Sequence, residues 1–220
     1  MERLTYKKYK AIIFDLDGTL INSLPYHLIA FKDLMLERGF RVPDRDVQRM
    51  FGRPSKEIFK FLMKKYKFKG NIEDLREERR YHYFRFLGTK NIVFPQVIET
   101  LVKLRLKYKV GVATGSSYVT YSHSTDRDFQ SLFDFTSTIN DVKRGKPFPD
   151  QLLYVMKKLN VKPDECLVVG DSVYDGIAAK KAQADFIGVT SGYTSAKELK
   201  KYGPLIVLKS VNELGKFLNK

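Results

Sequence analysis

Two aspartates separated by a single residue, Asp15 and Asp17, follow directly on the apolar run 11–14. Such a run is typical of a buried strand in a parallel sheet, so both carboxylates are expected at a strand end. Carboxylates this close repel each other unless a cation lies between them, and Mg²⁺ is a hard cation that prefers oxygen ligands. Gly18 permits an immediate turn, which makes a backbone amide accessible to an anion. Taken alone, the pattern is equally compatible with an ordinary capped turn.

Polar residues also follow other predicted strands, and their placement tests the functional interpretation. Ligands of parallel α/β sheets bind outside the carboxyl ends of the strands, so a functional site would draw residues from several strand ends. The residues are Thr114, Gly115 and Ser116 after the apolar run 110–113, Lys146 in a loop stiffened by prolines, and Asp171 and Asp175 after the run 167–169. Each alone is compatible with a turn, a helix cap or a solvated charge. Together they supply carboxylates for a metal ion and a hydroxyl, amides and an ammonium group for phosphate oxygens.

The apolar periodicity predicts the elements that position these residues. After residue 90, short apolar runs alternate with amphipathic helices, which is typical of an α/β fold with a doubly wound parallel sheet. Between the first strand and residue 90, the apolar residues recur at helical spacing throughout. We therefore expect a Rossmann-like core formed by residues 1–21 and 91–220, with residues 22–90 inserted as an all-helical cap. The predicted helices of this cap cover residues 24–39, 44–52, 55–66 and 71–87.

Composition and charge restrict the class of protein. The chain has 220 residues, of which 43% are hydrophobic, enough for one large core or for a core with a small inserted domain. Lysine and arginine total 40 against 25 acidic residues, and the net charge of +15 suggests nucleic-acid binding as an alternative. The basic residues are spread along the chain and interleaved with acids, so we favour a solvated, lysine-rich surface. Such a surface would attract small phosphorylated anions.

Redox and targeting features predict a cytoplasmic protein. The single cysteine, Cys166, lies in an apolar run, which predicts core packing, and no internal disulfide is possible. Residues 1–10 are charged and contain no apolar stretch typical of a signal peptide. No apolar run is long enough to span a bilayer, so we expect no membrane partner.

Four segments of the chain resemble, in the correct order, the four motifs of the haloacid dehalogenase superfamily, in particular its phosphatase branch with a helical cap after the first strand. The segments are Asp15-Leu-Asp-Gly-Thr19, Thr114, Lys146 in Gly145-Lys-Pro-Phe-Pro-Asp150, and Gly170-Asp-Ser-Val-Tyr-Asp175. The resemblance extends over essentially the whole chain. Within the branch, the segment 188–193 looks like that of phosphoglycolate phosphatases and their near relatives. The resemblance implies a small phosphorylated metabolite as substrate and Mg²⁺ as cofactor.

The resemblance also implies a role for each motif residue. Asp15 would attack phosphorus and form an aspartyl-phosphate, while Asp17 would serve as general acid and then as general base. Because an acid must be protonated when it acts, we expect surroundings that raise the pKa of Asp17. The implied metal ligands are Asp15, the carbonyl oxygen of Asp17, and Asp171, with Asp175 binding the metal directly or through a water molecule. The implied stabilisers of phosphoryl charge are Thr114, Lys146 and the amides around Leu16, Gly115 and Ser116.

Three residues of the predicted cap are candidates for substrate binding. In relatives that act on sugar phosphates, a histidine in the place of His27 helps to position the general acid, and a partly buried structural histidine is the alternative. Arg53 resembles part of the loop that closes over the substrate, where a cation would suit a carboxylate or a second phosphate, or it is an exposed surface arginine. Ser23 lies at the first hinge and can cap the first cap helix. Asn22 and Gln183 depart from the family pattern, which commonly has aspartate and glycine there.

Three functions are compatible with the sequence. The leading hypothesis is a Mg²⁺-dependent phosphatase for a small, phosphoglycolate-like phosphomonoester, acting as a monomer or a dimer. The second is a sugar-phosphate phosphatase or a β-phosphoglucomutase, which His27 supports. Thr19 after Gly18 favours a phosphatase, because mutase relatives tend to have an aliphatic residue there. The third, which we favour least, is a nucleic-acid-binding protein on an enzyme fold.

Overall fold

The computed structural model describes residues 9–218, and six parallel strands form one sheet within this range. The strands are β1 (Ala11–Phe14), β2 (Lys109–Ala113), β3 (Phe135–Ser137), β4 (Cys166–Gly170), β5 (Asp185–Val189) and β6 (Ile206–Leu208). They lie in the order β3-β2-β1-β4-β5-β6. In the part of the chain that the structure describes, no helix combines the length and apolar composition that crossing a membrane requires. The prediction made for the first ten residues lies outside the described residues, except at Tyr9 and Lys10.

Strand β1 lies at the centre of the sheet. Phe14 on β1 pairs with Val112 on β2 and with Val169 on β4. Strands β2 and β3 extend the sheet on one side, and β4, β5 and β6 extend it on the other. The strand order therefore reverses next to β1, and in parallel sheets a crevice opens at the carboxyl ends of the strands at such a point. The loops that follow β1, β2 and β4 meet at this crevice.

Between β1 and residue 90 the chain forms the helices that the sequence predicts. They are α1 (Leu24–Glu37), α2 (Asp44–Gln48), α3 (Ser55–Tyr66) and α4 (Ile72–Leu87). These helices enclose an apolar cluster of their own, in which Phe31, Phe59 and Leu62 are buried. The division of the chain into a core and a cap stays a prediction.

The remaining helices pack on the two faces of the sheet. They are α5 (Val97–Arg105), α6 (Tyr118–Ser124), α7 (Arg127–Gln130), α8 (Asp150–Leu159), α9 (Val173–Ala182), α10 (Ala196–Leu199) and α11 (Leu214–Leu218). Ile12 and Phe14 contribute to the apolar cluster of one face, whereas Ala11 and Ile13 contribute to that of the other. The prediction of a doubly wound α/β fold is confirmed. Cys166 is buried as predicted, and burial raises the pKa of its thiol to about 12.

Ser23 occupies the N-cap position of helix α1, as predicted, but its side chain does not cap the helix. Its hydroxyl donates to Asp17 Oδ1 at 2.6 Å and makes no capping hydrogen bond to the helix. Ser23 has helical backbone angles (φ −87°, ψ −22°) instead of the extended ones typical of a capping residue, and its hydroxyl donates to the carboxylate. Pro25 lies in the first turn of α1, as predicted, where its missing N–H has no intrahelical partner to lose.

Two backbone segments connect helices α1 to α4 with the sheet, and they pair with each other. The N–H of Asn22 donates to the carbonyl of Ile92 at 2.7 Å, and the N–H of Phe94 donates to the carbonyl of Leu20 at 3.1 Å. The side chain of Asn22 is exposed. The departure from the family pattern at this position therefore leaves the backbone pairing intact.

Replacing Gln183 with glycine is expected to stabilise the protein by roughly 0.5 kcal/mol. Gln183 ends helix α9 with φ at 61°, a left-handed conformation, which costs a non-glycine residue about 1–2 kcal/mol. Glycine removes this cost but gives the unfolded chain entropy worth about 0.4–1 kcal/mol. The free energy of unfolding in urea measures the difference. Asn160→Gly is the matched control, because Asn160 ends α8 at φ 52° and asparagine tolerates that conformation; an equal gain in both variants would contradict the explanation.

Candidate active site

The loop after strand β1 and the first turn of helix α9, which follows β4, bring two aspartates to one lysine. Lys146 Nζ donates to Asp15 Oδ1 and to Asp175 Oδ1, at 2.5 Å in each case. All three side chains are buried, and Lys146 is only 3% exposed. Burial by itself lowers the pKa of Lys146, but the two carboxylates raise it above its ordinary value. Lys146 is therefore a fixed cation between two aspartates.

Asp171 joins Asp15 and Asp175 in a cluster of three buried carboxylates. Each offers an oxygen atom that lies within 4.8 Å of the others. Burial raises the pKa of Asp15 although Lys146 lowers it, and burial together with the charge of Asp15 raises the pKa of Asp171. The cluster thus holds more negative charge than Lys146 balances. A divalent cation would supply the missing charge, and carboxylate oxygens are ligands that Mg²⁺ prefers, so these residues fit a Mg²⁺ site.

Hydrogen bonds from neighbouring residues hold the side chains of Asp171 and Asp175 in place. The Thr19 hydroxyl donates to Asp171 Oδ1 at 2.9 Å. Ser172 donates to Asp175 Oδ2 through its amide at 3.0 Å and through its hydroxyl at 2.5 Å. Ser172 and Asp175 also form the capping box of helix α9. The first turn of α9 therefore positions the aspartate that pairs with Lys146.

Replacing Gly192 with alanine is expected to weaken Mg²⁺ binding about 10- to 100-fold. A Cβ atom at this position would lie 1.8 Å from Asp171 Oδ2, so the carboxylate would have to move. Calorimetric titration with Mg²⁺ measures the change in affinity. Gly215→Ala is the matched control, because nothing lies within 4 Å of a Cβ atom there. Unchanged affinity in the Gly192 variant would show that Asp171 does not hold the metal ion.

Asp17 accepts hydrogen bonds from four side chains. The donors are Ser23 Oγ at 2.6 Å, Ser116 Oγ at 2.8 Å, Thr114 Oγ1 at 3.1 Å and His27 Nε2 at 3.3 Å. Burial alone raises the pKa of Asp17, but hydrogen bonds from His27, Ser23 and Ser116 lower it below its ordinary value. The expectation that the surroundings raise this pKa is therefore wrong. The sequence places Asp17 at a strand end but does not reveal the donors around it.

His27 connects Asp17 with helix α4. Its Nε2 lies 3.3 Å from Asp17 Oδ1, and its Nδ1 lies 2.8 Å from Arg79 Nη1. Arginine can only donate, so Nδ1 accepts and Nε2 carries the proton that is donated to Asp17. Burial lowers the pKa of His27 although Asp17 raises it, which agrees with a neutral imidazole. The ring stacks on Tyr83 with centroids 4.1 Å apart, and this geometry suits a residue that positions Asp17.

The sequence analysis does not identify Arg79 as a site residue, although its position on helix α4 indicates one. Arg79 is 7% exposed and lies one helical turn from Leu75 and from Tyr83, both of which are buried residues of α4. A charged residue within the buried stripe of a helix requires a polar partner in the interior. Here that partner is His27, which lies 52 residues earlier in the chain.

The structure brings nearly all of the predicted site residues together. The side chain of Leu16 is the exception, because it is buried in the core and any contact with a substrate would come from its backbone. One cavity is lined by Asp15, Asp17, His27, Arg53, Gly115 and Ser116. Behind this wall, close to Asp15 or Asp17, lie Ser23, Thr114, Lys146, Asp171 and Asp175.

Comparisons with known proteins match the chain over most of its length. A family described as haloacid dehalogenase-like hydrolase matches residues 12–189. A phosphoglycolate phosphatase from Colwellia psychrerythraea is 27% identical over 214 residues, which cover 93% of this chain and 95% of that protein. A phosphorylated carbohydrates phosphatase from Thermotoga maritima is 27% identical over 204 residues, which cover 91% and 94%. The crystal structure of a hydrolase from Pseudomonas syringae is similar with a TM-score of 0.85 at 28% identity, covering 96% of this chain and 98% of that chain.

Proposed function

Because this chain belongs to the haloacid dehalogenase-like hydrolases, we propose that it is a Mg²⁺-dependent phosphatase of small phosphomonoesters that acts through an aspartyl-phosphate. The family match over residues 12–189 confirms the resemblance predicted from the four motifs. Together with relatives named as phosphatases, it also confirms the prediction of an enzyme of the phosphoric monoester hydrolase type. The observation that carries the proposal is the convergence of Asp15, Lys146 and Asp171 beside Asp17 at the switch point of the sheet.

We assign Asp15 as the nucleophile. Its carboxylate oxygen would form a bond to phosphorus while the bond between phosphorus and the ester oxygen breaks, and water would later cleave the aspartyl-phosphate. Lys146 donates to Asp15 at 2.5 Å, which restricts the direction of attack and favours the ionised carboxylate. Asp15, the carbonyl oxygen of Asp17, and Asp171 would hold Mg²⁺, with Asp175 binding it directly or through a water molecule. The ion would supply positive charge against the phosphoryl oxygens. Lys146 and the hydroxyl of Thr114 can stabilise the same charge.

We assign Asp17 as the acid that protonates the leaving ester oxygen and as the base that then takes a proton from water. Its hydrogen bonds favour the ionised form before a substrate binds. The proton can arrive with the substrate, because phosphate monoesters have a second pKa of about 6 and bind partly as monoanions. It would pass from the phosphate to Asp17 and from Asp17 to the leaving oxygen.

The substrate in this proposal is phosphoglycolate-like, supported by the segment 188–193 and by the relative from Colwellia psychrerythraea. A sugar-phosphate phosphatase or a β-phosphoglucomutase is the second candidate, because His27 contacts Asp17 as expected for relatives that act on sugar phosphates. We propose a cytoplasmic enzyme, monomeric or dimeric, and the spread of basic residues along the chain does not favour a nucleic acid as its partner.

We further propose that residues 22–90 act as a cap over a core formed by residues 1–21 and 91–220. The separate apolar cluster of helices α1 to α4 supports this division. A contact between the proposed cap and the proposed core supports the arrangement as well. Phe51, in the loop after α2, stacks on Tyr193, which follows β5, with ring centroids 5.8 Å apart.

The test is phosphate release from a panel of phosphorylated metabolites, with and without Mg²⁺. We expect activity that EDTA removes and that added Mg²⁺ restores. Phosphoglycolate should be hydrolysed faster than sugar phosphates, and the reverse order would favour the second candidate while keeping the chemistry. Full activity after removal of divalent cations would contradict the proposed cofactor. Salt-sensitive binding of DNA or RNA by a protein that hydrolyses none of the esters would favour the nucleic-acid alternative.

A further inference from the structure

A histidine and two carboxylates lie together where helices α1 and α4 pack, apart from the cluster around Asp15. Asp33 and Glu37 lie four positions apart on α1, and His82 lies on α4. Each offers a possible metal ligand atom within 4.8 Å of the others. His82 is 5% exposed, whereas the side chain of Glu37 is 54% exposed. The group therefore joins a buried imidazole to a carboxylate that an ion from solvent can reach.

One ring nitrogen of His82 already has a carboxylate partner. Its Nδ1 lies 2.8 Å from Asp33 Oδ2, and because a carboxylate can only accept, Nδ1 carries a proton. Arg85 donates to the same Asp33 oxygen at 2.6 Å and lies 3.4 Å from Nδ1. Asp33 is thus held by two donors and fixes the orientation of the ring. Histidines that bind metal ions commonly donate their other ring N–H to a carboxylate in this way.

The second ring nitrogen of His82 faces Glu37. Its Nε2 lies 3.2 Å from Glu37 Oε2. In the neutral imidazole with its proton on Nδ1, Nε2 has a free lone pair, so two electron-rich atoms face each other. Such an arrangement requires a cation between them, either a second proton on the ring or a metal ion. Two ligands of one Zn²⁺ ion lie about 3–3.5 Å apart, which agrees with the observed separation.

The charges around this pair favour a bound cation. Arg85 forms an ion pair with Asp33, and Arg38 forms one with Glu78, so these cations have acidic partners of their own. Glu37 is the last residue of α1. The free carbonyl groups at the end of a helix carry partial negative charge, which attracts cations.

We propose that His82 Nε2 and Glu37 bind a divalent transition-metal ion of the Zn²⁺ type, with Asp33 orienting the imidazole and water completing the coordination. An imidazole nitrogen beside a carboxylate suits such an ion, whereas Mg²⁺ prefers oxygen ligands alone. The bound ion would join helix α1 to helix α4. This inference does not depend on the proposed phosphatase activity.

Calorimetric titration with Zn²⁺ tests the proposal on the full chain with Mg²⁺ present. We expect the wild type to bind one more Zn²⁺ ion than His82→Asn does. Any Zn²⁺ that enters the site around Asp15 binds in both proteins, so the difference counts only the ion that depends on His82. Equal stoichiometry in the two proteins would overturn the proposal.

A substitution at the exposed ligand avoids the risk that a buried substitution unfolds the protein. Glu37→Gln should lower the affinity for this Zn²⁺ ion at least about tenfold, because even the loss of a group that orients a ligand costs 10- to 100-fold. Glu99→Gln and His123→Asn are the matched controls, since both residues are exposed on other helices. Both should bind Zn²⁺ as the wild type does. Unchanged affinity in a folded Glu37→Gln variant would contradict the proposal.

Nitrogen NMR on protein labelled at histidine distinguishes a metal ion from a second proton on the ring. Zn²⁺ should shift the Nε2 resonance of His82, while Nδ1 keeps its proton. A ring that carries both protons and does not respond to Zn²⁺ would overturn the proposal and leave an ion bridge between α1 and α4. Phosphate release is not part of these measurements, so either outcome leaves the proposed phosphatase to its own test.

Discussion

Replacing Asp15 with asparagine is expected to lower kcat by on the order of 10⁴-fold or more. The amide of asparagine is a poor nucleophile towards phosphorus, so the aspartyl-phosphate cannot form. The fold should persist, because the substitution removes one negative charge from a cluster in which the charges of Asp15, Asp171 and Asp175 repel one another. Lys146 retains its hydrogen bond to Asp175. Phosphate release at saturating phosphoglycolate and thermal unfolding by circular dichroism measure the two effects.

The matched control for this prediction is Asp128→Asn. Asp128 is exposed and lies outside the cavity wall, so the same chemical change should leave kcat and the unfolding temperature unchanged. Activity close to that of the wild type in Asp15→Asn would remove Asp15 from the role of nucleophile. Loss of activity together with loss of the folded state would instead assign Asp15 a structural role.

Replacing Lys146 with methionine is expected to lower kcat about 10²- to 10³-fold and to lower the free energy of unfolding by roughly 3–5 kcal/mol. Both effects follow from one geometry, since the buried ammonium group donates to Asp15 and to Asp175 at 2.5 Å. Methionine fills similar space but leaves two buried carboxylates without their cation. Steady-state kinetics with Mg²⁺ present and urea unfolding in EDTA measure the two quantities separately.

Lys143→Met is the control for this substitution, because Lys143 is exposed and lies in the same loop. It should change neither kcat nor the free energy of unfolding by a measurable amount. A Lys146→Met variant with wild-type stability would show that the three aspartates do not depend on the lysine. A variant that is destabilised but fully active when folded would show that Lys146 stabilises the cluster without contributing to the chemistry.

The sequence by itself determined the sheet and the edge at which the candidate site forms. The apolar runs 11–14, 110–113 and 167–169 are short and uniformly apolar, as buried parallel strands are. The residues that directly follow such strands lie at the carboxyl ends of the strands, and in a parallel sheet these ends lie along one edge. For this reason the sequence alone places Asp15 and Thr114 near each other, although 99 positions separate them.

The tertiary structure alone decided which groups surround each carboxylate. Thr114 and Ser116 donate to Asp17 from 97 and 99 residues away, and with Ser23 and His27 they keep its pKa low rather than high. The apolar periodicity of helix α4 likewise does not reveal that Arg79 forms a hydrogen bond with His27.

The physical reason for this division is the number of atoms that each property involves. The burial of a strand or a helix depends on many residues at once, so its apolar pattern is recognisable even where single residues deviate. The pattern therefore predicts strands, helices and the residues at their ends. A hydrogen bond depends on two atoms placed about 3 Å apart, and a pKa depends on a few such contacts. Ser23 is the smallest example, because the sequence places it before helix α1 but does not reveal that its hydroxyl donates to Asp17.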